Sequence, residues 1–147
     1  MPGRMTGGCM CGRVRYTANV EDDEAYLCHC RMCQRSSGNI SLAMKNVKKA
    51  DVRWEGQPDY YQSSPIARRG FCSVCGTSLT FEYPDSDKMD LIVGTFDDPF
   101  RFVPKHHFAA ESMHRAWVNT EGLPETRTEE HKPLVDRWMK SVGQLPD

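Results

Sequence analysis

The chain has 147 residues, a formal net charge of −1, 39 % hydrophobic residues and 27 % charged residues. That length suits one domain burying about 70 % of its unfolded surface, and the near-neutral balance excludes both the basic footprint of a nucleic-acid binder and the composition of a disordered chain. No apolar run approaches the ~20 residues of a membrane span, and the first residues lack the charged-then-apolar order of a signal peptide, so a soluble cytoplasmic protein that binds neither nucleic acid nor membrane is expected.

Residues 1–6 read as a disordered leader. Gly7, Gly8 and Gly12 frame a turn around Cys9-x-Cys11, and Val14-Arg15-Tyr16 alternates like a half-buried strand. An acidic loop at 21–24 and a short strand at 25–27 lead into Cys28-x-Cys30-x-x-Cys33. Residues 32–37, poor in β-branched side chains, read as one helical turn stopped at Gly38. Further strands are expected at 40–44, 52–54, 60–62, 67–71 and 79–83, punctuated by turns such as Gly56-Gln57-Pro58 and Pro84-Asp85. Residues 90–96 are apolar on both parities and read as a central strand buried on both faces. The clearest helix is late, at 132–142, with Pro133 in its first turn and Leu134, Val135, Trp138, Met139 and Val142 at helical spacing. Short punctuated strands predict a mainly β domain of antiparallel strands with a C-terminal helix.

Seven cysteines need a reason in a reducing compartment, where disulfides are rare. All seven are clustered, as Cys9-x-Cys11, Cys28-x-Cys30-x-x-Cys33 and Cys72-x-x-Cys75. Neighbours so close make poor disulfide partners. Metal ligation accounts for all seven at once, with redox-active or merely buried thiols as the alternative. Cys11 precedes Gly12 and Cys75 precedes Gly76, and the residue after the second ligand of a zinc knuckle often needs the positive φ that glycine adopts freely. Gln34 holds that place in the middle cluster. The likeness pairs Cys9 and Cys11 with Cys72 and Cys75 as a closed structural site, contributing on the order of 10 kcal/mol of apparent metal binding to folding.

Cys28, Cys30 and Cys33 then remain as three ligands, the number found in catalytic zinc sites with an open position. The competing reading closes the site with a histidine or carboxylate. His106, His107 and His114 are candidates, whereas His29, between two ligands, would project away. A three-thiolate zinc is a feeble Lewis acid but holds a fourth soft ligand well, and a coordinating thiol is deprotonated. Its natural guest is an exogenous thiolate, of which glutathione is the abundant cytosolic example. Arg31, Arg35, Arg68 and Arg69 lie near the clusters and could pair with its carboxylates, although a solvated surface is the plainer role for each. Ser36 could bond a ligand or cap the short helix. Thr95 and Asp97 flank the end of the most buried strand, a usual place for site residues, with a turn cap as an equal account of Asp97. Arg31, Arg35, Ser36 and Thr95 are the candidate residues for binding the thiol substrate. His106 and His107 could supply a base, and Trp54, Trp117 and Trp138 suit core or interface anchoring.

Gly8-Cys9-Met10-Cys11-Gly12-Arg13-Val14, Cys28-His29-Cys30-Arg31-Met32-Cys33-Gln34-Arg35-Ser36-Ser37-Gly38 and Phe71-Cys72-Ser73-Val74-Cys75-Gly76 together resemble the glutathione-dependent formaldehyde-activating enzyme family, which also includes centromere protein V. Gly94-Thr95-Phe96-Asp97-Asp98-Pro99 and residues 106–117 resemble its C-terminal part more loosely. The resemblance covers residues 7–125 and leaves 126–147 as a C-terminal helical extension. It implies a zinc-stabilised, β-tent-like domain with two Zn2+ per chain, one structural on Cys9, Cys11, Cys72 and Cys75, and one catalytic on Cys28, Cys30 and Cys33. It further implies a carbon–sulfur lyase like S-(hydroxymethyl)glutathione synthase, with glutathione as co-substrate and formaldehyde or another small aldehyde as its partner. The alternative is a non-catalytic zinc-stabilised binding or thiol-carrier module. A redox-sensing zinc site is a third reading. The C-terminal helix could cover the pocket or an interface such as that of a homodimer, a packed terminal helix being the simpler account.

Overall fold

Backbone pairing divides the strands into two sheets in the computed structural model, which describes residues 3–119 and 121–145. The smaller sheet joins β1 (Gly3–Gly8), β2 (Arg15–Val20) and β5 (Val52–Glu55) in the order β1-β2-β5, all antiparallel. The larger sheet contains β3 (Glu24–Cys28), β4 (Leu42–Lys48), β6 (Asp59–Ser64), β7 (Ala67–Phe71), β8 (Ser78–Glu82), β9 (Lys88–Ile92) and β10 (Val103–Phe108). Its order is β10-β3-β4-β9-β8-β7-β6. The mainly β architecture expected from the punctuated strands is the one observed.

Successive residues of a strand point to opposite faces of its sheet, so each strand of the large sheet contributes to two layers. Ala25, Val47, Met89 and Leu91 pack with Tyr16, Ala18, Val20 and Phe96 to make the main core between the sheets. Tyr16 anchors it, with edge-on contacts to Trp54 and Phe96, both at 5.4 Å between ring centres. A Cβ on Gly7 would come within 2.4 Å of the Tyr16 hydroxyl, so only glycine lets β1 lie this close. The opposite face carries Tyr26 opposite Met44, Met44 opposite Ile92, and Phe81 opposite Asp90. That second face holds the candidate site.

Several boundaries differ from the sequence reading for local reasons. Gly3 to Thr6 are not a leader but most of β1, recruited by pairing with β2. Met1 and Pro2 lie outside the described residues. The expected strand at 90–96 is β9 only as far as Ile92, followed by a 3-10 turn at Val93–Thr95. The strand expected at 40–44 lies later, at Leu42–Lys48. The short helix, α1, spans Arg31–Ser37 and stops at Gly38 with φ 68°. Strand β10 has no counterpart in the sequence reading, because all six of its residues are exposed and Pro104 interrupts it. It also makes the larger sheet mixed, since it pairs parallel with β3 while the other pairings are antiparallel.

The chain divides into compact units at Met1–His114 and Arg115–Asp147. The second contains α2 (Arg115–Val118) and α3 (Lys132–Ser141), the late helix with proline in its first turn. Lys132 pairs with Asp136 one turn on, at 2.6 Å. No helix among the described residues is long and apolar enough to cross a membrane.

Leu91 is fully buried on the core side of β9. Leu91→Ala is expected to cost about 2–5 kcal/mol in urea unfolding. A loss below about 0.5 kcal/mol, the scale of an ordinary surface substitution, would contradict the packing described.

Candidate functional site

The first cysteine group is assembled by two turns of the same design. Cys9 follows β1, its amide donates to Val14 O at 2.9 Å, and Gly12 donates back to Cys9 O at 3.2 Å. Cys72 follows β7 in the same way, its amide donating to Thr77 O at 3.0 Å and Gly76 donating to Cys72 O at 2.7 Å. Gly12 and Gly76 have φ of 82° and 81°, the left-handed conformation that the two Cys-Gly pairs pointed to.

The turns bring the sulfurs of Cys9, Cys11, Cys72 and Cys75 within 4.8 Å of one another. Cys9 and Cys11 are 3.6 Å apart and Cys11 and Cys72 3.8 Å, while all seven cysteines of the chain are free thiols. Four ligands at the usual Zn–S length of about 2.3 Å would sit about 3.8 Å apart, so the group fits a tetrahedral ion. Val14 N donates to Cys9 Sγ and Arg13 Nε to Cys72 Sγ, each at 3.3 Å. Arg13 is itself paired with Asp59. The Arg13 guanidinium pulls the Cys72 thiol below its ordinary range, and the Thr77 hydroxyl beside Cys75 helps bring that thiol down to about 5. These contacts favour thiolates, the form that binds metal.

The second group forms where β3 meets α1. Cys28 is the last residue of β3, Cys30 caps α1 by accepting from Cys33 N at 3.3 Å, and Cys33 lies in the helix. The three sulfurs fall within 4.8 Å of one another, and no histidine or carboxylate joins them among the described residues. A hydrogen bond from the Cys33 thiol pulls Cys28 down and holds Cys33 up, burial adding to the rise at Cys33 and Arg69 opposing it. The buried Arg69 comes from β7, with Nη2 3.4 Å from Cys33 Sγ, Nη1 3.2 Å from Ser36 Oγ, and the guanidinium 4.8 Å over the Phe81 ring.

A cavity of about 480 Å³ opens beside this second group and is lined by Cys28, Cys30 and Cys33. Tyr26, Met32, Met44, Phe81 and Phe108 give it largely apolar walls, and Arg69, Asp90 and His106 add polar groups. Asp90 is buried and receives Asn46 Nδ2 on Oδ1 at 3.1 Å. Desolvation raises its pKa, with the bonds from Asn46 and Tyr26 opposing the rise. Burial, and then the neighbouring Asp90, push the Tyr26 hydroxyl up as well. A wider groove of about 700 Å³ passes Tyr60, Arg68 and Tyr83, but no cysteine lines it. The smaller cavity is therefore where the reactive groups converge.

Other sequence candidates fall into different roles. Arg31 and Arg35 are exposed on α1 and do not line the cavity, Arg31 being bonded to Gln34. Arg68 pairs with Glu82 and stacks 3.8 Å over Tyr60. Ser36 bonds Cys33 O at 3.2 Å besides accepting from Arg69. Thr95 is not brought to the cavity: its hydroxyl donates to Ile92 O at 2.7 Å and meets the Tyr16 hydroxyl at 2.9 Å. Asp97 bonds Thr6 at 2.6 Å and Arg15 at 3.0 Å, fastening the small sheet. His107 Nδ1 is 2.9 Å from His29 Nε2, and His29 N donates to Phe108 O at 2.9 Å, which docks β10 beside the β3–α1 junction. Sequence reasoning misses Tyr26 and Asp90 as site residues; the available signal is a carboxylate at the head of a stretch that is apolar on both parities.

A sequence model described as glutathione-dependent formaldehyde-activating enzyme matches residues 4–112. An uncharacterized lyase of Schizosaccharomyces pombe is 32 % identical over 77 residues, covering 52 % of this chain and 56 % of that protein, so the chain spans little more than half of the relative's length. The crystal structure of a Rhodobacter sphaeroides protein shares the fold, with a TM-score of 0.54 at 22 % identity, covering 63 % of this chain and 88 % of that one. Three-quarters of the sequence lies within the family match, including both cysteine groups, and the chain belongs to the glutathione-dependent formaldehyde-activating enzyme family.

Proposed function

We propose that the chain is a zinc-dependent carbon–sulfur lyase of the S-(hydroxymethyl)glutathione synthase kind. Its reaction joins the sulfur of glutathione, or a related thiol, to the carbon of formaldehyde or another small aldehyde, and also splits that adduct. The observation that carries this reading is the cavity beside Cys28, Cys30 and Cys33, a three-sulfur group lacking a fourth protein ligand among the described residues. Family membership and the S. pombe relative's lyase designation support the same class of reaction.

Two zinc ions fit the sulfur geometry. Cys9, Cys11, Cys72 and Cys75 would hold one as a closed structural site, and Cys28, Cys30 and Cys33 the other. When bound at the three cysteines, zinc supplies a position at which an exogenous thiolate stays ionised at neutral pH. Arg69 beside Cys33 offsets part of the negative charge gathered there. The apolar walls keep water from competing for the small carbonyl carbon. Arg31 and Arg35, exposed on the helix that carries Cys33, are the cations offered to glutathione carboxylates outside the cavity, and Ser36 steadies Arg69. Thr95 is given no part in this, since it does not line the cavity and its hydroxyl is taken up by Ile92 O and the Tyr16 hydroxyl. Residues 7–125 are assigned the activity and 126–147 are an extension. A reducing cytoplasm, rich in thiols, suits seven unpaired cysteines.

Elemental analysis of the purified protein is expected to give about two zinc ions per chain. Cys30→Ser should leave about one with cooperative unfolding retained, whereas Cys72→Ser should abolish cooperative unfolding. If both variants unfold alike, the division into structural and reactive sites is wrong.

The activity is tested by magnetisation-exchange spectroscopy of labelled formaldehyde with glutathione. The protein should accelerate interconversion of free and adduct carbon beyond the spontaneous rate, and Cys30→Ser should return it to that rate. A thiol carrier would bind the adduct without accelerating exchange, which would contradict the lyase reading.

A further inference from the structure

Adding a thiolate to an aldehyde leaves an oxygen that needs a proton, and removing the aldehyde requires that proton to be taken back. The cysteine group accounts for the sulfur end of this reaction and leaves the oxygen end without a partner. The same sheet face supplies one. Tyr26 and Cys28 are two residues apart on one face of β3, about 7 Å along the strand. Tyr26 lies opposite Met44, Met44 opposite Ile92, and Asp90 precedes Ile92 by two residues on the same face. Tyr26, Cys28 and Asp90 all line the one cavity. The Tyr26 hydroxyl meets Met44 Sδ at 4.0 Å, on the strand between β3 and the β9 that carries Asp90.

Asp90 is an unusual residue for its place. The rest of β9 inside the sheet is apolar, with Met89, Leu91 and Ile92 buried around it. A buried carboxylate held for stability alone is ordinarily matched by a cation. The partners of Asp90 are instead neutral, Asn46 Nδ2 at 3.1 Å and the Tyr26 hydroxyl. Such surroundings favour the protonated acid, in line with the upward shift caused by burial. The other titratable groups lining the cavity are the three cysteines from β3 and α1, Arg69 from β7, Tyr83 after β8, and His106 from β10. Arg69 is permanently charged and bonded to Cys33, and His106 is exposed, so neither matches Asp90 as a buried proton carrier.

We propose that Asp90 is the acid–base residue for the oxygen end of the adduct, with Tyr26 and Asn46 positioning its carboxyl. This rests on the lyase reading given above. In the addition direction the thiolate sulfur bonds to the carbonyl carbon, the carbonyl π pair moves onto oxygen, and that oxygen takes the Asp90 proton. The carboxylate recovers the proton that the thiol shed on ionising. In the cleavage direction the Asp90 carboxylate takes the hydroxyl proton, the C=O bond re-forms, and the C–S bond breaks with its electron pair leaving on sulfur.

The test compares exchange between labelled formaldehyde and its glutathione adduct in wild type, Asp90→Asn and Tyr26→Phe, after subtracting the spontaneous rate. Asp90→Asn should lose about 100-fold or more, with glutathione binding by calorimetry unchanged, and Tyr26→Phe should lose less. Wild-type protein that exchanges no faster than buffer overturns the lyase reading and this assignment together. Fast wild-type exchange preserved in Asp90→Asn overturns the assignment alone. So does loss of glutathione binding in Asp90→Asn together with full activity in Tyr26→Phe, because Asp90 would then be structural. Infrared spectra give a readout independent of activity and of any variant's folding. The zinc-loaded wild type at neutral pH should carry the carbonyl band of a buried protonated carboxylic acid, and its absence overturns the proton-donor role.

Discussion

Alternation across the seven-stranded sheet decides what each part of this molecule can do. One face is spent on the core with the small sheet, through Val47, Met89 and Leu91. The other presents Tyr26, Cys28, Met44, Phe81 and Asp90 to a cavity instead of to a second core. A one-residue shift in the pairing of β3 with β4 would turn Cys28 toward the core and dismantle the three-sulfur group. Docking of β10 on the outer edge of β3, with His107 meeting His29, covers that edge and sets Phe108 at the cavity wall.

The two cysteine groups answer different structural problems. The four-sulfur group joins the turn after β1 to the turn after β7, connecting the two sheets beside Val14 and Leu79, with Trp54 packed against both that cluster and the main core. Its donors come entirely from tight turns, with Arg13 and Val14 bonding to the sulfurs. The three-sulfur group instead combines a strand end with a short helix, and its surroundings extend into a space. Arg69 is the link between charge and position there, held at once by Cys33, Ser36 and the face of Phe81.

Much of this was legible because the informative residues act locally. Gly12 and Gly76 report positive φ, and their likeness grouped four cysteines far apart in the chain. Alternation located β8 to within one residue, and helical spacing located α3. What escaped depends on partners distant in sequence. The exposed β10 exists because β3 offers it an edge, and Gly3 to Thr6 are a strand because β2 does. Thr95 sits where site residues often do, yet its hydroxyl serves Ile92 and Tyr16. Asp90 opens a stretch that reads as a buried strand, and only the sheet register brings it to the face that carries Cys28.

The central claim is that a substrate thiol reaches a metal held by Cys28, Cys30 and Cys33. Cobalt(II) substituted into the protein reports on this directly, since sulfur-to-metal charge-transfer absorption follows the number of thiolates bound. Adding glutathione at millimolar concentration should strengthen and shift that absorption in wild type and leave the four-cysteine contribution, isolated in Cys30→Ser, unchanged. A wild-type spectrum that does not change would contradict thiol entry at this site.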